Sequence, residues 1–180
     1  MLEQEFKDVI NNGDLDKVKE YLNQGIDPSL DNNYAIRSAS YNAHLEVVKL
    51  LLMDDRINPG DYCNYAIGFS SLKGHLNIVE LLLTDKRVDP SDKDNRAIRY
   101  ASRYGHVEVV KQLLKDSRVD PSDKDNYAIR LAFKYGHLEV GRELIKDLRV
   151  RVSLKKEHIT GLIEREYKLF KLKKLYERGV

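Results

Sequence analysis

Asparagine stands at positions 33, 64, 95 and 126, histidine at 44, 75, 106 and 137, and proline at 28, 59, 90 and 121. Three residue types of unlike chemistry keep one interval of 31 residues without a gap. A fixed period of this length marks a chain of stacked supersecondary units, each fitted to the next. It excludes most folds that a chain of 180 residues might otherwise adopt.

One unit reads "DKDNRAIRYASRYGHVEVVKQLLKDSRVDPS", residues 92 to 122. Asn95 is placed to cap a helix through its side-chain oxygen. Ala97, Ile98 and Ala101 then share one helix face. Gly105 suits the left-handed residue that ends a helix. Val107, Val110, Leu113 and Leu114 give a second helix its apolar face. Glu108 and Lys111 pair weakly outside it. Pro121 cannot continue the helix and holds Asp120 extended. Two helices of about nine residues cannot bury their faces alone, but stacked copies can. The expected fold is an all-α helix-turn-helix solenoid with short extended loops between repeats.

Composition fits that expectation. Charged residues are 33% and apolar residues 42% of the chain, the balance of a folded soluble protein. No apolar run approaches the ~20 residues that span a bilayer, so no membrane association is expected. The start, "MLEQEFKDVI", lacks a basic segment followed by an apolar core, and no secretory signal is expected. One cysteine, Cys63, is present, which fits a reducing compartment, cytoplasmic or nuclear. The net charge of +2 is uneven. Residues 149 to 180 hold 10 Lys/Arg and 4 Asp/Glu, hence +6, and residues 1 to 148 hold 21 and 25, hence −4.

The stretch "AIRYASRYGHVEVVKQLL" resembles the ankyrin repeat, whose unit reads TPLHxAAxxGHxEVVxLLL. The GH–EVV–LL half matches closely. The first half departs, with "NYAIR" where the family has "TPLH", and the 31-residue unit is shorter than the family's 33, in the loop that elsewhere forms a β-hairpin finger. The variant "VDPS…NYAIR.AS..GHLEVVKLLL" is similar to ankyrin arrays of giant DNA viruses and of some amoebae and other protists. The resemblance covers nearly the whole chain. It implies a single array over 1–180: an N-terminal capping pair in 1–30, full repeats at 31–61, 62–92, 93–123 and 124–152, and a degenerate C-terminal capping repeat in 153–180. In the last, Leu169, Leu172, Leu175 and Tyr176 fall where Leu45, Val48, Leu51 and Leu52 stand.

Candidates for chemistry reduce to scaffold. Metal ligands must converge on one point, whereas one histidine per repeat forms a row about 8–10 Å apart. In the family this histidine ties the inter-helix turn by hydrogen bonds. Asp54, Asp85, Asp116 and Asp147 recur at a helix end as structure. No glycine-rich phosphate loop and no HExxH occurs. No enzyme activity, cofactor or metal is expected, and the resemblance implies a module that binds a protein partner, acting as a monomer.

Recognition is expected where the copies disagree. Tyr41 and Asn42, Leu72 and Lys73, Arg103 and Tyr104, and Lys134 and Tyr135 vary from repeat to repeat at the end of the first helix. In ankyrin proteins the matching positions face the concave groove. Tyr and Arg are also the types enriched at binding hot spots. A further row, Tyr34, Tyr65, Arg96 and Tyr127, ranks below these pairs. Arg37, Gly68, Arg99 and Arg130 align with a family position that bonds between repeats. The groove candidates are aromatic and basic, which suits an acidic peptide or protein surface. Two alternatives are weaker. A viral host-interaction adaptor that recruits a ubiquitin ligase needs an F-box-like terminal segment, but residues 153–180 are short and continue the repeat. Nucleic-acid binding would use the basic tail. Last, Gly141 stands where other repeats have valine, and the sequence predicts lost packing and an early-opening C-terminal third.

Overall fold

A computed structural model describes residues 2–154 and Gly161. Among the described residues the chain forms eleven helices: α1 (Leu2–Asn12), α2 (Leu15–Asn23), α3 (Leu30–Tyr41), α4 (Leu45–Leu52), α5 (Asp61–Lys73), α6 (Leu76–Leu83), α7 (Asp92–Tyr104), α8 (Val107–Leu114), α9 (Asp123–Lys134), α10 (Leu138–Lys146) and α11 (Leu148–Ser153). They pair as antiparallel hairpins from α1/α2 to α9/α10. The closing repeat expected in residues 153–180 lies outside the described residues, apart from the end of α11.

The hairpins share one core that runs the length of the stack. Its rungs recur every 31 residues: Ile36, Ile67, Ile98 and Ile129 from first helices, and Leu51, Leu82, Leu113 and Leu144 from second helices, all buried. Ile57, Val88, Val119 and Val150 plug the base of each unit from the loop. In α8 it is Val109, with Val110 and Leu113, that is buried, while Val107 and Leu114 are half-buried. The first helices of neighbouring hairpins pack on one another far more extensively than the second helices do. The stack therefore curves, with the first helices on the inside.

The asparagine does not cap a helix. Asn33, Asn64, Asn95 and Asn126 each end three consecutive residues in the left-handed region, Lys93 to Asn95 in the third repeat (φ 51, 58 and 56°). The right-handed helix starts only afterwards. Left-handed backbone costs an ordinary side chain about 1–2 kcal/mol per residue, and Asn and Asp tolerate it best, as "DNN" and "KDN" reflect. Bonds across repeats offset that cost. Asn95 Nδ2 donates to Asp123 Oδ2 (2.9 Å) and its Oδ1 accepts from the Asp120 backbone N–H (2.6 Å). Asn33 reaches Asp61 and Asn58, and Asn64 reaches Asp92 and Asp89, in the same way. The last copy differs: the Ser153 hydroxyl donates to Asn126 Oδ1 (2.8 Å).

Two further devices join the units. His44, His75 and His106 meet, through Nε2, the backbone carbonyls of Asn11, Tyr41 and Leu72 in the preceding hairpin, at 2.8–3.0 Å. Each ring fills the space beside the preceding turn. A Cβ on Gly74 would stand 2.5 Å from His106 Nδ1, and its φ of 78° favours glycine, whereas Ala43 holds the equivalent place in the first unit at φ 65°. Arg87, Arg118 and Arg149 hold Asp85, Asp116 and Asp147 through Nε and Nη2, and donate through Nη1 to the carbonyls of Ile57, Val88 and Val119 at 2.6–2.8 Å. Arg56 grips Asp54 likewise, with a longer bond to Ile26 (3.4 Å). The guanidinium hydrogen bonds hold all four carboxyls below the usual aspartate range.

A carboxyl depressed in the folded state adds stability that is complete above its unfolded pKa, about 3.9, and is lost as pH falls through the folded value. The urea midpoint should therefore stay level from pH 7 to 5, and drop as acid protonates the four clamps. A midpoint that holds or rises below pH 4 would contradict this.

Gly141 is not a packing defect. Ser40, Ser71 and Ser102 pair in sequence with Val48, Val79 and Val110, whereas the fourth unit has Phe133 with Gly141. A Cβ on Gly141 would stand 2.6 Å from Phe133 Cε1 and Cζ. The ring occupies the volume that the missing side chain leaves, and both residues are buried. The expected packing loss is overturned.

Candidate partner-binding groove

The groove wall is the exposed face of α3, α5, α7 and α9. Residues four and three apart lie on one side of a helix, so each first helix presents a short column. Tyr34, Ser38 and Tyr41 form one, followed by Tyr65, Phe69 and Leu72, then Arg96, Tyr100 and Arg103, and Tyr127, Leu131 and Lys134; the middle residues Ser38, Phe69 and Tyr100 are half-buried and Leu131 is buried. Tyr41, Asn42, Lys73, Arg103, Tyr104, Lys134 and Tyr135 are exposed, and Leu72 is half-buried.

These positions meet across repeats. The Lys73 Nζ lies 4.4 Å from the centre of the Tyr41 ring. The Arg103 guanidinium lies 5.0 Å from the Tyr135 ring and 5.6 Å from that of Tyr104. The Lys134 Nζ lies 5.9 Å from Tyr135. In both cross-repeat contacts the first position of one unit meets the second position of the next. A cation over a ring face is drawn to its quadrupole, which fixes the side chain before any partner arrives.

The lower row is partly structural. Tyr34 is half-buried, donates to Asn11 Oδ1 (2.9 Å) and lies under Lys7. Tyr65 is half-buried against Phe69, with ring centres 3.8 Å apart. Arg96 is half-buried, and Tyr127 is exposed between Arg99 and Arg130. Arg37, Arg99 and Arg130 donate through Nη2 to the carbonyls of Asp31, Lys93 and Lys124, at the start of each left-handed turn. Gly68 removes that arm from the second unit. Arg37 instead covers Tyr62 and Tyr65 there, and an aromatic cluster of Tyr41, Tyr62, Tyr65, Phe69 and Tyr100 results.

The middle row, Ser38, Phe69, Tyr100 and Leu131, escaped the sequence reading. It varies between copies as much as its neighbours, and it sits one helical turn from both flanking rows. Helical spacing applied to the variable positions would have found it.

Charge separates the two layers. From Tyr34 to Asn42, and in the three equivalent stretches, stand Arg37, Lys73, Arg96, Arg99, Arg103, Arg130 and Lys134, with no Asp or Glu. Among the described residues Lys73, Arg96, Arg103 and Lys134 have no carboxylate partner, whereas second helices carry pairs such as Lys49–Glu46 and Lys111–Glu108, both 2.7 Å. Among the described residues no group of His, Cys, Asp and Glu is arranged to hold a metal, and no helix is long and apolar enough to cross a membrane.

Curved stacks of helical hairpins, clamped turn to turn by histidine and presenting variable side chains on the inner face, define an α-solenoid binding scaffold. The sequence profile described as Ankyrin repeats (3 copies) matches residues 7–94 and 66–156. The chain belongs to the ankyrin-repeat family, whose repeats are protein-interaction scaffolds without catalytic machinery. No curated protein matches the sequence.

Proposed function

We propose that the array binds a protein partner through the inner face of α3, α5, α7 and α9, and that the partner surface is acidic. The observation that carries this reading is the set of cations on that face, held by rings and unmatched by carboxylates. A rigid scaffold with prefixed side chains loses little entropy on binding. The loops and second helices are rich in carboxylates. A protein segment lying inside the groove meets only the cations, whereas a nucleic acid that overlaps the rim meets the carboxylates as well.

Changing Arg103, Tyr104, Lys134 and Tyr135 together to Ala tests it. All four are exposed, so the fold should survive, as far-UV circular dichroism would check. Affinity for a partner captured with the intact protein should fall at least tenfold, about 1.4 kcal/mol. Unchanged affinity would refute the assignment.

A further inference from the structure

Resting on that groove assignment, we infer that the ligand is an extended segment bearing carboxylates and one apolar side chain, one ligand group per repeat, at three-residue spacing. The sequence of groove elements gives the pattern. Between the first and second units stands a cation on a ring, Lys73 over Tyr41. Between the second and third, the equivalent positions are Leu72 and Tyr104, and the Arg103 guanidinium lies nearer to Tyr135 than to Tyr104. Between the third and fourth the cation returns, Arg103 over Tyr135. Lys134, on the fourth unit itself, adds a second cation beside the same Tyr135 ring. From the N-terminal end the groove therefore asks for acid, apolar, acid, with the strongest positive charge at the last place.

Spacing selects the backbone of the ligand. Neighbouring helices stack about 8–10 Å apart. An extended chain advances about 3.3 Å per residue, so three residues cover one repeat. A helical ligand advances about 10.8 Å in two turns and overshoots each repeat by about 1–3 Å, an error that accumulates along the array. The ligand pattern is thus a carboxylate, two arbitrary residues, an apolar residue, two arbitrary residues and a carboxylate. The apolar side chain falls beside Leu72, one helical turn from Phe69 of the aromatic cluster.

The probe is a fluorescein-labelled peptide of about ten residues, with Glu and Leu in this pattern on a Ser/Thr background, made in both chain directions. The control has the same composition with the Glu residues contiguous. Anisotropy with the full chain should show one direction of the patterned peptide binding roughly tenfold tighter than the control, weakening with salt. Arg103→Glu/Lys134→Glu should abolish the difference, and Leu72→Ser should weaken the patterned peptide but not a third peptide in which its Leu is replaced by Ser. Equal binding of patterned and control peptides overturns the spacing. Binding indifferent to the charge reversal overturns the location. Tighter binding of a short single-stranded oligonucleotide overturns the acidic-segment chemistry. If no peptide binds while the four-alanine variant still loses its captured partner, this ligand pattern falls and the groove reading stands. If that variant keeps its partner, both fall.

Discussion

Gly141→Val should unfold more easily than the parent by about 2–4 kcal/mol, although it restores the residue that stands in the other units. The Cβ alone would press on the Phe133 ring at 2.6 Å, and valine adds two methyl groups behind it. Phe133→Ser should cost about 3–5 kcal/mol, by leaving a void the size of the ring and burying a hydroxyl. The double variant recreates the Ser/Val combination of Ser102 with Val110. It should recover most of both losses, giving a coupling energy of about 2 kcal/mol or more. Urea unfolding of the four members of this cycle decides it. Additive effects would mean that the two residues are not a matched pair.

This pair shows where the sequence was legible and where it was not. The period, the helix pairs and the core rungs followed from apolar spacing, because each copy must bury the same face on the next. Gly141 read alone was a weakness. Its partner lies eight residues away on the other helix of the hairpin, and only the fold brings them together. The asparagine row was misread for a related reason. An Asn before a helix is a cap by local rules, and those rules do not contain the aspartate 28 residues downstream that Asn95 grips. Long-range polar partners leave no local periodicity to read.

For the groove, the outermost variable pairs were legible as positions of disagreement between copies. What they do together was not. The contact of Lys73 with Tyr41, 32 residues apart, depends on how far one hairpin is displaced on the next. The same displacement divides the lower row into anchored members, such as Tyr34, and exposed ones, such as Tyr127. The absence of carboxylates from Tyr34 to Asn42 and its three equivalents was visible in the sequence, but it gained meaning only when the fold set those stretches side by side.

Asn95→Ala should be the most damaging single truncation of a polar side chain in the array, at about 2–4 kcal/mol. The side chain is 6% exposed, and both of its polar ends are used. Removing it strands the part-buried Asp120 N–H, costing about 1 kcal/mol or more. It also puts alanine at φ 56°, where the Cβ is disfavoured by about 1–2 kcal/mol. Asn95→Gly separates the two effects, since glycine keeps the backbone comfortable and loses only the bonds. Its cost should be smaller than that of Asn95→Ala. Asn95→Asp keeps the acceptor for Asp120 but sets a carboxylate where the amide met Asp123 Oδ2 at 2.9 Å, and like charges at that distance repel. It should therefore be no better than Asn95→Ala at pH 7. Because stacking energy passes only between neighbours, a break at the third unit should also divide the array. Hydrogen exchange should then show α9 and α10 opening with less protection than α5 and α6, which keep their Asn33 and Asn64 clamps. Protection lost evenly along the stack would mean that the asparagine stabilises its own turn and does not join the repeats.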